Sequence, residues 1–141
     1  MIQLTYTSMA IPLLVMPDIK RILEIAKKYN SENKITGCLL YYKYQFIQIL
    51  EGEEETIEKL YAKIKQDKKH FNVNLLYRNE ISERIFPQWS MAFKELNENT
   101  LEELSGTMLF EDNLIRFSEI TNKPTLASRL FWKKAIEIID I

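Results

Sequence analysis

ITGCLLYYKYQFIQILE, residues 35 to 51, is the stretch that decides the predicted fold. It predicts a strand over Ile35–Tyr42, a tight turn over Lys43–Gln45 and a returning strand over Phe46–Leu50. Gln48 stands in the apolar second strand, where a primary amide is costly unless its donors and acceptors are paired. Two placements stay open at this point. Gln48 faces a polar partner inside the fold, or strand alternation turns it to solvent.

Composition bounds the class of protein. The chain has 141 residues, of which 46% are hydrophobic and 28% are charged, as is typical of one globular domain. Nineteen basic and twenty acidic side chains leave a net charge of −1, which gives nucleic-acid binding no electrostatic support. No apolar run reaches the roughly 18 residues of a membrane span, and no signal peptide is apparent. We therefore expect a cytoplasmic protein that binds neither nucleic acid nor membrane.

Conventional catalytic and metal sites find little support. The chain has one histidine, His70, and one cysteine, Cys38, which are too few for a metal site built on His or Cys ligands. Its three glycines form neither a G-x-G-x-x-G turn nor a P-loop, and no G-x-S-x-G elbow occurs. We expect no metal and no conventional catalytic set.

The remaining elements complete a known arrangement. Two predicted elements precede the hairpin, a strand over Ile2–Ser8 and a helix from Pro17 to about Tyr29. Three follow it, a helix after Gly52, a strand around Val73–Tyr77 and a strand over Ile85–Phe93. The order β-α-β-β-α-β-β predicts an α+β, ferredoxin-like sandwich, with a mostly antiparallel sheet and two helices on one face.

The last part of the chain changes character. We expect residues 1–94 to form the domain and residues 95–141 a helical extension that packs on it or mediates oligomerisation. Leu101, Leu104 and Met108 predict a short helix, and Asn113–Ile120 a second one. The apolar positions of Leu126–Ile139 predict a stronger helix, which we expect to cover the sheet face opposite the other two.

A set of polar and aromatic side chains is scattered among the apolar strands. Tyr6, Gln48, Trp89 and Ser90 lie on predicted strands, and Asn30 ends the first helix. Such a set suits a ligand with an aromatic ring system, but it is also compatible with an ordinary core. The residues alone leave both interpretations open.

The ordered motifs resemble those of the BLUF domain, a flavin-binding sensor of blue light, over about Met1 to Lys94. The matching pieces are L-x-Y-x-S at residues 4–8, Asn30, I-T-G-x-L-L-Y at 35–41, F-x-Q-x-L-E-G at 46–52, D-x-x-H at 67–70 and F-P-x-W-S-M at 86–91. Each piece is weak alone, but together, in order and at matching spacings, they are specific.

The resemblance implies a flavin, FAD first, with FMN or riboflavin as alternatives, between the two helices and the sheet. It implies that Tyr6 donates an electron and a proton to the excited flavin. Gln48 would bridge Tyr6 and the N5/O4 edge and change its hydrogen bonds after illumination. Asn30 would bind the O4/N3 side.

The same resemblance implies further positions around the ring. Lys63, Asp67 and His70 would line the ring or its ribityl-phosphate side, and Lys63 replaces the arginine often found there. Trp89 and Met91 match the pair on the fifth strand that shifts with light.

The implied function is that of a stand-alone photoreceptor rather than an enzyme. It would signal through the fifth strand and the C-terminal helices to a partner protein that the sequence does not identify, and we expect a homo-oligomer. Two alternatives stay open, a small flavin-dependent oxidoreductase and a flavin-free, ferredoxin-like interaction module.

Overall fold

The computed structural model describes residues 1–87, 90–95, 107–110, 113–116 and 125–139. In chain order the elements are β1 (Ile2–Ala10), α1 (Met16–Glu32), β2 (Thr36–Tyr42), β3 (Gln45–Gly52), α2 (Glu54–Gln66), β4 (His70–Glu80), β5 (Ala92–Glu95), β6 (Thr107–Phe110), β7 (Asn113–Arg116) and α3 (Leu126–Ile139).

One five-stranded sheet, in the order β4-β1-β3-β2-β5, forms the centre of the fold. β1 pairs antiparallel with β3 and with β4, and β2 pairs antiparallel with β3. β5 joins the edge parallel to β2. The predicted α+β, ferredoxin-like class is therefore confirmed, with β5 as an added parallel strand.

The hairpin of β2 and β3 brings two backbones into close contact. Gly37 pairs with Leu50 across it, and a Cβ at Gly37 would lie 2.0 Å from the carbonyl oxygen of Ile49. Only glycine therefore allows this approach of the two strands. The turn residues Lys43 and Tyr44 both have positive φ, as a two-residue hairpin turn requires.

The two amphipathic helices α1 and α2 bury their apolar stripes on the same face of the sheet. Ile19 and Leu23 of α1 and Ile57 of α2 pack with Leu4 and Leu50 of the sheet into one core. The backbone N–H of Val15 donates to the Asp18 carboxylate at 3.1 Å, which caps the start of α1. The predicted start at Pro17 is thus correct to one residue.

Helix α3 contacts the other face of the sheet, along β1, β2, β3 and β4. The strand side chains that point away from α1 and α2, such as Thr5, Leu40 and Ile49, are completely buried. Phe131 of α3 is also completely buried. Both faces of this sheet are therefore covered.

Three predicted elements are wrong. The strand placed over Ile85–Phe93 begins only at Ala92, and the described part of the preceding segment is irregular. Met108 lies in strand β6 and Asn113–Arg116 forms strand β7, which pair as a hairpin rather than forming helices. Apolar periodicity over so few residues does not separate a strand from a helix. Leu101, Leu104 and residues 117–120 lie outside the described residues.

Strand β4 departs from strict alternation because its pairing with β1 is irregular. The register shifts between Thr5 and Tyr6, where Leu76 is an additional residue on β4, and Asn72 has positive φ. A bulge moves the following side chains to the other face. Tyr77, which the alternation placed with Val73 and Leu75, consequently lies opposite Thr5 on the face turned away from α1 and α2, whereas Leu75 stays opposite Tyr6 and is half exposed on this edge strand.

Candidate functional site

A cavity of about 330 Å³ lies between α1, α2 and the sheet. Its size is within the range of small-molecule sites. The lining is mostly apolar, with amides, a phenol and charged groups at intervals, and comprises Tyr6, Leu14, Ile22, Leu23, Ile25, Ala26, Tyr29, Asn30, Leu39, Phe46, Gln48, Leu60, Lys63, Ile64, Asp67, Lys69 and His70.

The inner wall carries a chain of three side chains centred on Gln48. The Tyr6 hydroxyl donates to Gln48 Oε1, and Gln48 Nε2 donates to the Met91 sulfur at 3.2 Å. β1 and β3 place Tyr6 directly opposite Gln48 in register. Gln48 therefore faces the helices and not the solvent, and its amide orientation is set by one partner at each end.

Burial determines the protonation state of Tyr6. The phenol is 4% exposed, and burial, followed by the proximity of Tyr61 and Asp67, raises its pKa far above the usual value. The hydroxyl therefore keeps its proton and is available as a donor to Gln48. The Tyr61 ring lies 5.7 Å from the Tyr6 ring, centroid to centroid, in a tilted arrangement.

Asn30 lies in the last turn of α1, two residues before the last residue of the helix, Glu32. It shares the buried face of the helix with Ile19 and Leu23. Its Nδ2 donates to the carbonyl oxygen of Ser90 at 2.8 Å. This bond holds the residue before Met91 against α1, and the amide retains an oxygen and a second N–H for the cavity.

Charged residues gather where α2 ends. Lys63 Nζ lies 4.8 Å from the centroid of the Tyr29 ring, a distance at which a cation and an aromatic face attract. The Asp67 carboxylate accepts the backbone N–H of Lys69 at 3.0 Å. Lys63, Asp67 and Lys69 all line the cavity.

His70 is held by the protein through both ring nitrogens. Nε2 lies 2.6 Å from the carbonyl oxygen of Ile64, which can only accept. Nε2 therefore carries the hydrogen, and Nδ1 accepts the Ser8 hydroxyl at 2.8 Å. The imidazole lines the cavity, but it fastens the end of α2 to β1.

Most of the predicted site residues converge. Tyr6, Asn30, Gln48, Lys63, Asp67 and His70 line one cavity, and Met91 contacts Gln48. Trp89 lies outside the described residues. Sequence reasoning assigned no role to Tyr29 and did not select Lys69. The helical spacing of Ile22, Ala26 and Tyr29, which places them on one face, was a usable signal for Tyr29.

The cavity suits an aromatic ring with polar edges. Apolar side chains of α1 and α2, such as Ile22 and Leu60, provide walls, and Gln48 and Asn30 offer amide groups that pair with ring carbonyls and nitrogens. Lys63 and Lys69 supply the positive charge that a ribityl phosphate would need. The residues present therefore fit a flavin.

Other sites have no support in the part of the chain that the structure describes. No group of three or more His, Cys, Asp or Glu side chains is placed there to hold a metal ion. None of the helices in the described ranges is both long enough and apolar enough to cross a membrane.

Comparison with known proteins gives a consistent result. The sequence profile of BLUF, "sensors of blue-light using FAD", matches residues 1–92. The photoactivated adenylate cyclase subunit beta of Euglena gracilis is 34% identical over 90 residues, which is 63% of this chain and 10% of that protein. The chain spans about a tenth of the length of the first curated relatives it matches.

Solved structures show the same fold over more of the chain. BlsA in its photo-activated state has a TM-score of 0.70 and 28% identity, covering 94% of this chain and 92% of BlsA. Klebsiella pneumoniae BlrP1 with FMN and cyclic diGMP has a TM-score of 0.72 and 29% identity, covering 99% of this chain and 34% of BlrP1.

Proposed function

The chain belongs to the BLUF family of blue-light sensors that use FAD, and we propose that it senses blue light through the hydrogen bonds of Gln48. The observation that carries this proposal is the series of hydrogen bonds from Tyr6 to Gln48 and from Gln48 to Met91 on the inner wall of the cavity. It joins an oxidisable phenol, an amide with two possible orientations and a flexible thioether at one point.

We propose that Gln48 and Asn30 hold the polar edge of the flavin, while Lys63 and Lys69 face its ribityl-phosphate side. When bound, the flavin absorbs blue light and becomes a strong oxidant in its excited state. Tyr6 is the group placed to give up an electron, because its hydroxyl proton has an acceptor at Gln48 Oε1. His70 positions α2 against β1 and acts on the site through that packing.

Gln48 is the element with two states. Its oxygen now faces Tyr6 and its NH₂ group faces Met91. A rotated amide, or one that holds the Tyr6 proton on its oxygen, presents a different set of donors to the cavity and to both neighbours. Met91 can follow because a thioether side chain is flexible and bonds weakly.

We propose that the output is a protein contact and not a reaction. The charge and residue content gave conventional catalysis no support, and the inner end of the cavity is occupied by Tyr6 and Gln48, where an oxidoreductase substrate would approach. Membership of the BLUF family does not favour the oxidoreductase or the flavin-free module. The cytoplasmic location stays a prediction.

The proposed route of the signal starts at Met91, which directly precedes β5. β5 pairs with β2, and α3 contacts the four other strands on the opposite sheet face. We propose that residues 1–94 are the sensor, that residues 95–141 report its state, and that the reader is another protein or a second copy of this chain.

The flavin proposal is tested by adding FAD, FMN or riboflavin to flavin-free full-length protein and following flavin fluorescence. Tight uptake of at least one of them is expected. Failure of all three to bind would contradict the proposal.

The output proposal is tested by hydrogen exchange and size-exclusion chromatography on the full-length chain in the dark and under blue light. We expect a light-dependent change in exchange within residues 95–141 or in oligomeric state. If neither changes, this extension is not the output element.

A further inference from the structure

Glu51 is a buried carboxylate that the proposed photochemistry does not use. It lies on β3, three residues after Gln48, and its side chain points to the sheet face that does not carry the cavity. The residue is completely buried. One carboxylate oxygen accepts the backbone N–H of Ile85 at 2.7 Å and the other accepts that of Phe86 at 2.9 Å. A buried acid is therefore dedicated to holding a piece of irregular backbone.

Arg84 fastens the same piece of backbone to the ends of β2 and β3. One guanidinium nitrogen donates to Thr36 Oγ1 at 2.9 Å and to the carbonyl oxygen of Glu51 at 3.0 Å. The other donates to the carbonyl oxygen of Lys34 at 2.6 Å. Phe86, the next residue but one, is buried. Residues 84–86 are thus fixed by four hydrogen bonds to β2 and β3 and by one to the turn before β2.

The segment that starts there ends at the photochemical site. Ser90 is bound by Asn30, and Met91 is bound by Gln48. Gln48 and Glu51 are three residues apart on one strand, roughly 10 Å at the rise of a β-strand. β3 therefore holds both ends of the connection between Phe86 and Met91, one end through Glu51 and the other through Gln48.

We propose that Glu51 is a positioning residue for the Gln48–Met91 contact, acting by anchoring the Ile85–Phe86 backbone to β3. The inference rests on the proposed function, since it concerns the methionine that meets the switching amide. It adds a residue, on the far face of the sheet, that sets where Met91 lies in the dark.

The same carboxylate is close to the start of α3. Gln3 lies opposite Glu51 in the pairing of β1 and β3, and the Thr125 hydroxyl donates to Gln3 Oε1. Thr125 directly precedes α3. Glu51 thus stands where the Met91 segment, the sheet and the beginning of α3 meet.

Protonation is a natural way to alter this anchor. Burial raises the pKa of Glu51 to about 7, although the bonds from Ile85 and Phe86, the charge of Arg84 and the Gln3 side chain all favour the ionised form. Arg84, on the segment that also carries Ile85 and Phe86, is a charged group that faces the Glu51 carboxyl. Gln3 of β1, Thr36 of β2 and Thr125 beside α3 are neutral. An ionised acceptor binds N–H groups more strongly than a neutral one, so the anchor tightens as pH rises through neutrality.

The test compares the full-length chain with Glu51→Gln, and uses Glu53→Gln as the matched control because Glu53 is an exposed acid two residues away with no side-chain cap bond. Amide exchange at Ile85 and Phe86 and the NMR resonance of the ¹³C-labelled Met91 methyl group are measured in the dark. In Glu51→Gln we expect exchange at both amides to be at least about tenfold faster, as for a lost bond to a charged acceptor, and the Met91 resonance to shift. Glu53→Gln should change neither.

A pH titration distinguishes a positioning role of Glu51 from a role in stability alone. In the unsubstituted chain the Met91 methyl resonance should titrate with a midpoint near the Glu51 pKa of about 7, and Glu51→Gln, which retains His70, should abolish this titration. A Met91 resonance that is constant with pH in the unsubstituted chain would overturn the proposal even if Glu51→Gln does not fold. So would unchanged amide exchange in a folded Glu51→Gln.

These readouts need no illumination, which separates the two proposals. A chain that lacks a light response but shows the Glu51-dependent Met91 titration refutes the photoreceptor proposal alone. A chain with a normal light response and a Met91 resonance unaffected by Glu51→Gln refutes the positioning role alone.

Discussion

At the scale of single residues, the proposed light response depends on Gln48, because an amide has a donor end and an acceptor end of nearly the same shape. Tyr6 and Met91 hold it from opposite sides, so turning it exchanges the groups that face the cavity. No other side chain of this size combines two donor hydrogens with an acceptor oxygen in one plane.

Gln48→Leu is expected to keep the flavin and to lose the light-induced red shift. Leucine has similar bulk but neither donates to the ring nor accepts from Tyr6. The unpaired Tyr6 hydroxyl should also lower the free energy of unfolding by about 1–3 kcal/mol. Light-minus-dark absorption spectra and urea unfolding measure both effects. Gln45→Leu, on the same strand but not lining the cavity, is the control, and a normal shift in Gln48→Leu would remove Gln48 from the mechanism.

The raised pKa of Glu51 predicts that the free energy of unfolding decreases as the pH rises. Burial raises its pKa from 4.5 to about 7 in the folded chain, so the folded state binds this proton more tightly than the unfolded state. Ionisation strengthens the bonds from Ile85 and Phe86, but the cost of burying the charge is larger. The stabilising contribution of Glu51 is therefore complete below pH 4.5 and is lost as the pH rises through about 7, by about 3 kcal/mol in total. Urea unfolding at several pH values should show a smaller decline in Glu51→Gln. Equal declines in both chains would contradict the assignment.

The contacts of His70 and Glu51 could not be predicted from the sequence. The resemblance placed His70 among the flavin contacts, but whether a ring nitrogen is free depends on Ser8 and the Ile64 carbonyl, which periodicity does not bring together. Glu51 is part of a motif, yet its function depends on backbone N–H groups of Ile85 and Phe86. Backbone donors in an irregular segment leave no trace in residue types.

At the scale of elements, β3 is the most informative strand because both of its faces are buried. The placement of Gln48 stayed open because one face of the sheet was allowed to be exposed to solvent. In the structure, α3 packs on the side where Ile47 and Ile49 lie, so that face is buried as well. The sequence of a strand that is buried on both sides is a continuous run of apolar residues. A polar residue in such a run, here Gln48, is then expected to have a specific hydrogen-bonding partner.

Helix α3 is expected to contribute strongly to stability through Phe131, which is completely buried. Phe131→Ala should lower the free energy of unfolding by about 3–5 kcal/mol, because it removes apolar contacts and leaves a cavity under the helix. Leu126→Ala is the control, since Leu126 is 52% exposed and should change stability by less than about 0.5 kcal/mol. Urea unfolding of the two variants decides the matter. Equal costs would mean that α3 is not packed on the sheet in solution.

Element boundaries were predictable where periodicity was long and failed where it was short. The first four strands and the first two helices appear in the predicted order. β5 is only four residues long, and its pairing with β2 depends on contacts distant in sequence. The hairpin of β6 and β7 was read as helices for the same reason.

At the scale of the whole molecule, the sheet separates the cavity from the C-terminal helix α3. The cavity lies on the face of α1 and α2, whereas α3 lies on the other face. β3 contributes to both, with Gln48 on one side and Glu51 on the other. A change at the cavity can therefore reach α3 through a single strand and the segment that this strand holds.

Blue light is proposed to change the hydrogen bonds around Gln48 without net chemistry. The measurement is the absorption spectrum of the purified full-length protein before blue light, after it and during return to the dark. The prediction is a flavin spectrum that shifts slightly to longer wavelength and reverts completely. A protein that takes up flavin but shows no such shift, or is permanently bleached by the light, would contradict the claim.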